Sequence, residues 1–382
     1  MKTPVSAQIA GIGEAEGGKA TGRPGVELAA DAALRALADA GLELTDVDGL
    51  LVESPDVDQH HMAHLALADM LAMRPRFAHS TGSGGSTPFA NVILGAAALA
   101  TGMAERILVV DYDSRHSARN PDKSKRLART RAHRNPWEDP YGPITAAKFA
   151  LVATAHMDRF GTTREQLAEI TVNARRNGAL REGAQLRTPV TVQDVLDSKP
   201  IAEPLHLLDC CVISDWGSAF VMSRSGDGTA RAVDVAGFGQ HHEGYALVRA
   251  TELPACPAIR RSGEDAFAMA ALSPADVDVA LIYDSFTITA LVGLENLGFC
   301  PVGEGGEFVA SGAIAIDGSL PVNPHGGQLS YSGGHGHFIT EAVRQLRHEA
   351  PSSQVDGASV AVCQGTAAGV MSSSTVVLRR SA

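Results

Sequence analysis

The residues of this chain that could do chemistry gather at strand ends and glycine-rich turns. Tyr283-Asp284-Ser285-Phe286-Thr287 follows the apolar run Val279-Ala280-Leu281-Ile282, and in open α/β sheets ligands bind at the C-terminal ends of strands. A tyrosine there could exchange a proton if its pKa were lowered from about 10; the plainer alternative is a packed ring. His325, His335 and His337 cluster around the turn Gly326-Gly327-Gln328-Leu329-Ser330-Tyr331-Ser332-Gly333-Gly334. A histidine there could serve as a general base or as a donor to a thioester oxygen. The spacing is not that of a zinc site, and no metal is expected. Cys363 closes the last apolar strand before Gln364-Gly365, where a cysteine is most often simply buried. A second glycine turn, Gly82-Ser83-Gly84-Gly85-Ser86-Thr87, precedes a helix. Turns of this kind let backbone approach a ligand closely and aim N–H groups at an oxyanion. No serine nucleophile elbow, phosphate-binding P-loop or dinucleotide fingerprint is present.

The elements that must position these groups occur twice. Ile9-Ala10-Gly11-Ile12-Gly13-Glu14 has the form of Val235-Ala236-Gly237-Phe238-Gly239-Gln240. Thr45-Asp46-Val47-Asp48-Gly49-Leu50-Leu51-Val52-Glu53 matches Ala275-Asp276-Val277-Asp278-Val279-Ala280-Leu281-Ile282-Tyr283. Each glycine turn then leads into a helix (about 88–101 and 336–349) and a strand (Arg106–Asp111 and Ala358–Cys363). Continuous apolar runs predict strands buried on both faces, and repeated strand–helix alternation predicts an α/β fold. The halves divide at 1–230 and 231–382, with an insertion over about 113–205. Within it, residues 115–134 carry eight Arg or Lys, either a solvated loop or a clamp for phosphates. A helix over 144–160 follows, and Thr162-Thr163-Arg164-Glu165 has capping-box spacing for another.

Composition is that of an ordinary globular protein, 45% apolar and 20% charged, with a net charge of −11. That charge argues against nucleic acid or anionic membrane as a partner. Five cysteines without a CxxC pair fit a reducing, cytoplasmic context. No apolar run reaches the roughly 20 residues of a membrane span.

Several segments resemble the thiolase superfamily, in the branch similar to sterol carrier protein thiolases and often named lipid-transfer proteins. They are Ser198-Lys199-Pro200-Ile201-Ala202-Glu203-Pro204-Leu205 running into Asp209-Cys210-Cys211, Tyr283-Asp284-Ser285-Phe286-Thr287, Leu294-Glu295-Asn296-Leu297-Gly298-Phe299-Cys300, Leu320-Pro321-Val322-Asn323-Pro324-His325-Gly326-Gly327, and Glu341-Ala342-Val343-Arg344-Gln345-Leu346-Arg347. The resemblance implies a five-layer αβαβα fold of two duplicated halves, a homodimer and an acyl-CoA substrate, with coenzyme A as part of that substrate and no other bound cofactor. Arg126 and Arg129 would then hold the coenzyme A phosphates.

The family's catalytic residues are changed here. Gly85 stands where those thiolases carry the nucleophilic cysteine, with Ser86 beside it. Tyr283 replaces the histidine of a His-Asp-Cys-Phe motif, and Gly333 that of Gly-His-Pro. Cys363-Gln364-Gly365 resembles the Cys-x-Gly motif whose cysteine is an acid/base. Covalent acyl transfer needs an activated nucleophile. Relatives without it resemble retro-aldolases that cleave β-hydroxyacyl-CoA side chains of steroids with a DUF35 (OB-fold) partner. Tyr283 matches a tyrosine those aldolases use; their second tyrosine aligns with Gly333, and Tyr331 or His335 could replace it. Gly85, Asp284, Phe286, His325, Gly327 and Gly333 are expected to line the substrate. The alternatives are an acyltransferase using Cys363 or Ser86, and a noncatalytic acyl-CoA or lipid carrier.

Overall fold

The computed structural model describes residues 7–56, 62–118, 138, 144–227, 231–251, 253–350 and 352–381. Arg126, Arg129 and the basic residues from Arg119 to Arg134 lie outside the described residues.

The first half runs β1 (Gln8–Glu14), α1 (Gly25–Ala40), β2 (Gly49–Glu53), α2 (Ala63–Met70), β3 (Phe77–Thr81), α3 (Thr87–Thr101) and β4 (Arg106–Ser114). Then come α4 (Thr145–Phe160), α5 (Arg164–Leu180), α6 (Val192–Leu196), the hairpin β5 (Pro200–Ala202) and β6 (Leu205–His206), and β7 (Asp215–Ser223). The second half runs β8 (Val233–His242), α7 (Pro257–Ala270), β9 (Val279–Ile282), α8 (Thr287–Asn296), α9 (Gly305–Ala310), α10 (Gly327–Ser330), α11 (His337–Arg347), β10 (Val360–Ala367) and β11 (Ser372–Arg380).

The strand order β3-β2-β4-β7-β1-β8-β11-β10-β9 is a mirror. Moving inward from either side, a parallel pair (β2/β4, β9/β10) is followed by an antiparallel pair (β4/β7, β10/β11) and then a second antiparallel pair (β7/β1, β11/β8). The halves join where Gln8 and Ile9 pair with Asp234 and Val233. Outside β9, where the first half carries β3, Val322 bridges Ala280 in parallel.

Side-chain alternation along the strands builds the layers. On β4, Ile107 and Val109 face the apolar cluster of α3 and α11, while Leu108 and Val110 face that of α1 and α2. On β10, Ala361 and Cys363 face the same central cluster, and Val360 and Val362 face an outer one formed with α4, α5, α7 and α8. Helix, sheet, helix, sheet, helix is the resulting five-layer order, with Phe89 of α3 and Phe338 of α11 meeting at 6.3 Å in the middle. The repeated Gly-x-Gly has a packing cause. A Cβ at Gly11 or Gly13 would lie 2.3 Å from a carbonyl of α1, and one at Gly237 or Gly239 within 2.2 Å of a carbonyl of α7.

The capping box of α5 sits one residue later than its sequence spacing suggests. Thr163, not Thr162, caps the helix with Gln166, because the Thr162 hydroxyl is bonded to His156 Nδ1 at 2.8 Å.

Candidate active site

The C-terminal parts of β2, β4 and β9 come together around the turn before α11. Glu53 is the last residue of β2, Asp111 lies toward the end of β4, and Tyr283 follows β9 directly. The turn contributes His335. All four are buried. The rings of Tyr283 and His335 lie 5.8 Å apart. On its other flank His335 meets the Trp216 ring at 6.0 Å. The Trp216 indole N–H, itself buried, has no hydrogen-bond partner among the described residues, an unusual state for a group that can only donate.

Gly85 is shaped by Tyr283. A Cβ there would lie 2.2 Å from the phenol Cζ and 2.4 Å from its hydroxyl oxygen. The ring fills the space a side chain at position 85 would need. Burial pushes the phenol well above its ordinary value, and the charge of Cys211 adds to this, while Ser285 and Arg115 oppose it. Tyr283 therefore keeps its proton at neutral pH and is able to donate it.

His335 Nδ1 lies 3.1 Å from Glu53 Oε1. The backbone N–H groups of His335 and Gly336 donate to Asp111 Oδ2 at 2.9 and 2.7 Å. Burial and the neighbouring Asp111 raise the Glu53 carboxyl well above the ordinary range, against Arg115 and Thr87. Burial also works to raise Asp111, but His335, Glu53 and the two backbone donors outweigh it and hold that carboxyl low. Glu53, Asp111 and His335 offer oxygen and nitrogen atoms within 4.8 Å of one another, close enough for a small cation to bridge.

The other expected site residues are dispersed. Tyr331 donates its hydroxyl to Glu14, which also accepts from Thr340 and Arg344. His325 and Phe338 lie between the Tyr331 and Tyr283 rings. Between Tyr331 and His335, the turn brings only His335 to Tyr283. His325 Nε2 meets His337 Nδ1 at 2.7 Å, and His337 Nε2 meets the Ser332 carbonyl at 3.1 Å. Burial lowers both histidines, His337 to about 4, so the pair is neutral.

Asp284 Oδ1 accepts the Gln328 N–H at 2.7 Å, and burial raises its carboxyl to about 7 against the Gln328 and Leu329 backbone donors. It holds the start of α10, where a Cβ on Gly327 would strike its other oxygen at 2.0 Å. A Cβ on Gly333 would lie 2.5 Å from the Val212 carbonyl, so the turn passes too close to that segment for a side chain. Phe286 stacks on Phe149 at 4.6 Å in the outer core, away from Tyr283. Ser86 donates its hydroxyl to the Ser83 carbonyl at 2.7 Å. Cys363 is fully buried in the central apolar cluster, and burial pushes its thiol far up. A groove of about 400 Å³ beside Arg176, Asn177, Leu180 and Asp356 includes none of these residues.

Sequence reasoning missed Glu53 and Asp111 as site residues, although the internal repeat had set Glu53 opposite Tyr283.

The fold and a site at the strand ends are those of the thiolase class. Residues 239–380 match the family described as thiolase C-terminal domain-like. Over 390 residues, 95% of this chain and 96% of the relative, the sequence is 35% identical to the steroid side-chain-cleaving aldolase of Thermomonospora curvata. It is 36% identical over 375 residues to the 17-hydroxy-3-oxo-4-pregnene-20-carboxyl-CoA lyase of Mycobacterium tuberculosis, covering 94% of this chain and 96% of that one. The solved Ltp2-ChsH2(DUF35) aldolase superposes with a TM-score of 0.86 at 31% identity, covering 99% of this chain and 98% of the other. The chain belongs to the thiolase superfamily, in the branch similar to sterol carrier protein thiolases.

Proposed function

We propose that this chain is a carbon–carbon lyase that cleaves a β-hydroxyacyl-CoA by a retro-aldol reaction, with a steroid or lipid side chain as the acyl group. The observation that carries this reading is the Tyr283 ring in the space beside Gly85, which leaves a phenol where acyl transfer would need a nucleophile. The activities of the two relatives point the same way.

In this reading His335 takes the proton of the β-hydroxyl. The C–O bond becomes a carbonyl as the Cα–Cβ bond breaks, and the electron pair passes into the thioester as an enolate. Tyr283 donates to the enolate and then protonates Cα, with the Trp216 N–H as a further donor. The imidazolium, 5.8 Å from the phenol between ring centres, returns the proton. A ketone or aldehyde and a shorter acyl-CoA leave, with no oxidant or covalent intermediate. An acyltransferase is less well supported, since the Ser86 hydroxyl is donated to a carbonyl and the Cys363 thiol is buried in the central apolar cluster, where burial pushes it far up.

The reading extends to a homodimer of chains with halves 1–230 and 231–382, Arg126 and Arg129 on the coenzyme A phosphates, and a DUF35 partner like that of the solved aldolase. All five cysteines are free, in keeping with a cytoplasmic setting. No helix among the described residues is long and apolar enough to cross a membrane.

The test incubates the purified protein, alone and with a DUF35 protein, with short and steroid-derived β-hydroxyacyl-CoA thioesters, and follows products by mass spectrometry. Cleavage to a carbonyl compound and a shorter acyl-CoA is expected. No cleavage of any substrate, together with acyl-enzyme in the intact mass, would overturn the reading.

A further inference from the structure

The Trp216 indole N–H is buried and unpartnered. The edge of the ring that carries it lies against the turn leading to His335: a Cβ on Gly334 would sit 2.6 Å from Cδ1 and 2.9 Å from Nε1. The carbonyls of Gly333 and Gly334, on that turn, accept from Gln328 Nε2 instead, at 3.1 and 2.7 Å. A phenylalanine would fill the same core position without stranding a donor, and a buried donor left unpaired is costly. An acceptor brought by the substrate would complete the indole.

The ring is itself held from outside the site. The Arg115 guanidinium lies over it, 4.9 Å from the ring centre, in the geometry of a cation–π contact. Arg115 Nε donates to Asp113 Oδ2 at 3.1 Å, and a second arm donates to Asp56. Asp113 Oδ2 also accepts the Asp56 N–H at 2.9 Å. This clamp ties the segment after β2 to β4, where Asp113 is the ladder partner of Trp216 on β7. The Arg115 charge reaches the site as well, since it opposes the rise of the Tyr283 phenol. Resting on the retro-aldol reading above, we infer that Arg115 is a positioning residue: held by Asp56 and Asp113, it fixes the Trp216 indole so that Nε1–H meets the thioester oxygen of the bound acyl-CoA. Trp216 and Tyr283, whose rings lie 6.0 and 5.8 Å from that of His335, are then two donors to one developing negative charge.

Steady-state kinetics of the protein with its partner, on the β-hydroxyacyl-CoA that it cleaves, tests the pair. Trp216→Phe, which keeps a ring in the core, should lower kcat about 100-fold with KM little changed. Arg115→Gln should lower kcat about tenfold. Because Arg115 acts through the indole, the two changes together should be no slower than Trp216→Phe alone. Losses that multiply in the double variant, or a wild-type kcat in Trp216→Phe, would overturn the inference. A lower melting temperature with kcat unchanged, the mark of merely structural residues, overturns it as well. Should the variants not fold, or should no thioester be cleaved, nitrogen-15 indole NMR of the wild-type protein decides. The chain has two tryptophans, and Trp137→Phe assigns their indole signals. Saturating acetyl-CoA, the simplest thioester that a retro-aldol cleavage leaves, should move the Trp216 N–H proton downfield. S-ethyl-coenzyme A, a thioether without the carbonyl oxygen, should not. No shift with either compound, or the same shift with both, overturns the donor role. The two readings fail separately: a carbonyl-dependent indole shift without cleavage of any substrate sinks the lyase and leaves Trp216 as the thioester donor.

Discussion

β2 and β9 are the same strand of a duplicated fold, yet one ends in Glu53 and the other leads into Tyr283. The parallel ladders match residue for residue: Leu51 pairs with Val109 in the first half, and Leu281 with Cys363 in the second. Continuing that register sets Asp111 opposite Gly365. The first half therefore brings two carboxylates to the strand ends. The second brings a phenol and a glycine that lies against Phe89 and the Gly85 carbonyl. Symmetric backbone has been given asymmetric chemistry. In the reading proposed above, the phenol half donates to developing negative charge, and His335, from the second half's turn, sits between that phenol and the two carboxylates.

The largest effect should come from closing the space that the second half's phenol takes from the first half's turn. Gly85→Ala puts a methyl 2.2 Å from the Tyr283 ring. Displacing the ring should cut turnover by at least about 100-fold and cost about 1–3 kcal/mol of stability by overpacking. Adding Tyr283→Phe to Gly85→Ala should lower the rate no further, because both changes remove the same donor. A large additional loss, read by steady-state kinetics, would separate two residues that the geometry couples.

Tyr283→Phe alone should lower kcat about 100-fold while keeping the fold, since the ring remains to pack against Phe338 and His335. A turnover near wild type in this variant would move the donor role to the Trp216 N–H.

Next comes the residue after each strand end. Ser54 in the first half is exposed, whereas its counterpart Asp284 is buried and holds the Gln328 N–H. The Asp284 carboxyl is raised from 3.8 to about 7 by burial. Its folded form thus keeps a proton that the unfolded chain releases. The stability it contributes is fully present below the unfolded pKa and is lost as pH rises toward 7. Asp284→Asn stays neutral throughout. It should match wild type near pH 4 and exceed it by up to about 4 kcal/mol at pH 8, as read by denaturant melts at the two pH values. A gap that does not grow with pH would mean that Asp284 is ionised in the folded protein.

Much of the fold is legible in the sequence because its causes are local. The apolar runs of β2, β4, β9 and β10 announce strands buried on both faces, and Gly11-x-Gly13 with Gly237-x-Gly239 marks where a helix must lie on a strand. Tyr283 is legible for the same reason, as the residue that follows an apolar run. The choice between Tyr331 and His335 is not. It depends on how the Ser332–Gly336 turn threads between Val212 and Trp216, against which Gly333 and Gly334 are pressed, and no periodicity encodes that path. Glu53 and Asp111 carry a signal only once the halves are superposed, since a carboxylate after a run of valines and leucines otherwise reads as the start of a loop.

Cys363 shows the cost of matching strands by their ends. Sequence ends align it with Asp111, but the ladder sets it opposite Val109, two residues deeper. At about 3.3 Å per residue that depth keeps the thiol well below the strand ends, under the Phe338 carbonyl at 3.8 Å. Cys363→Ala should therefore behave like a small truncation in the core, costing about 1 kcal/mol and leaving kcat within about twofold, because the proton-transfer groups sit a pleat higher. Thermal melts and the lyase assay on one preparation make the comparison. A rate loss of orders of magnitude at unchanged stability would put the thiol back among the reacting groups, and with it the symmetry between Cys363 and Asp111 that the register denies.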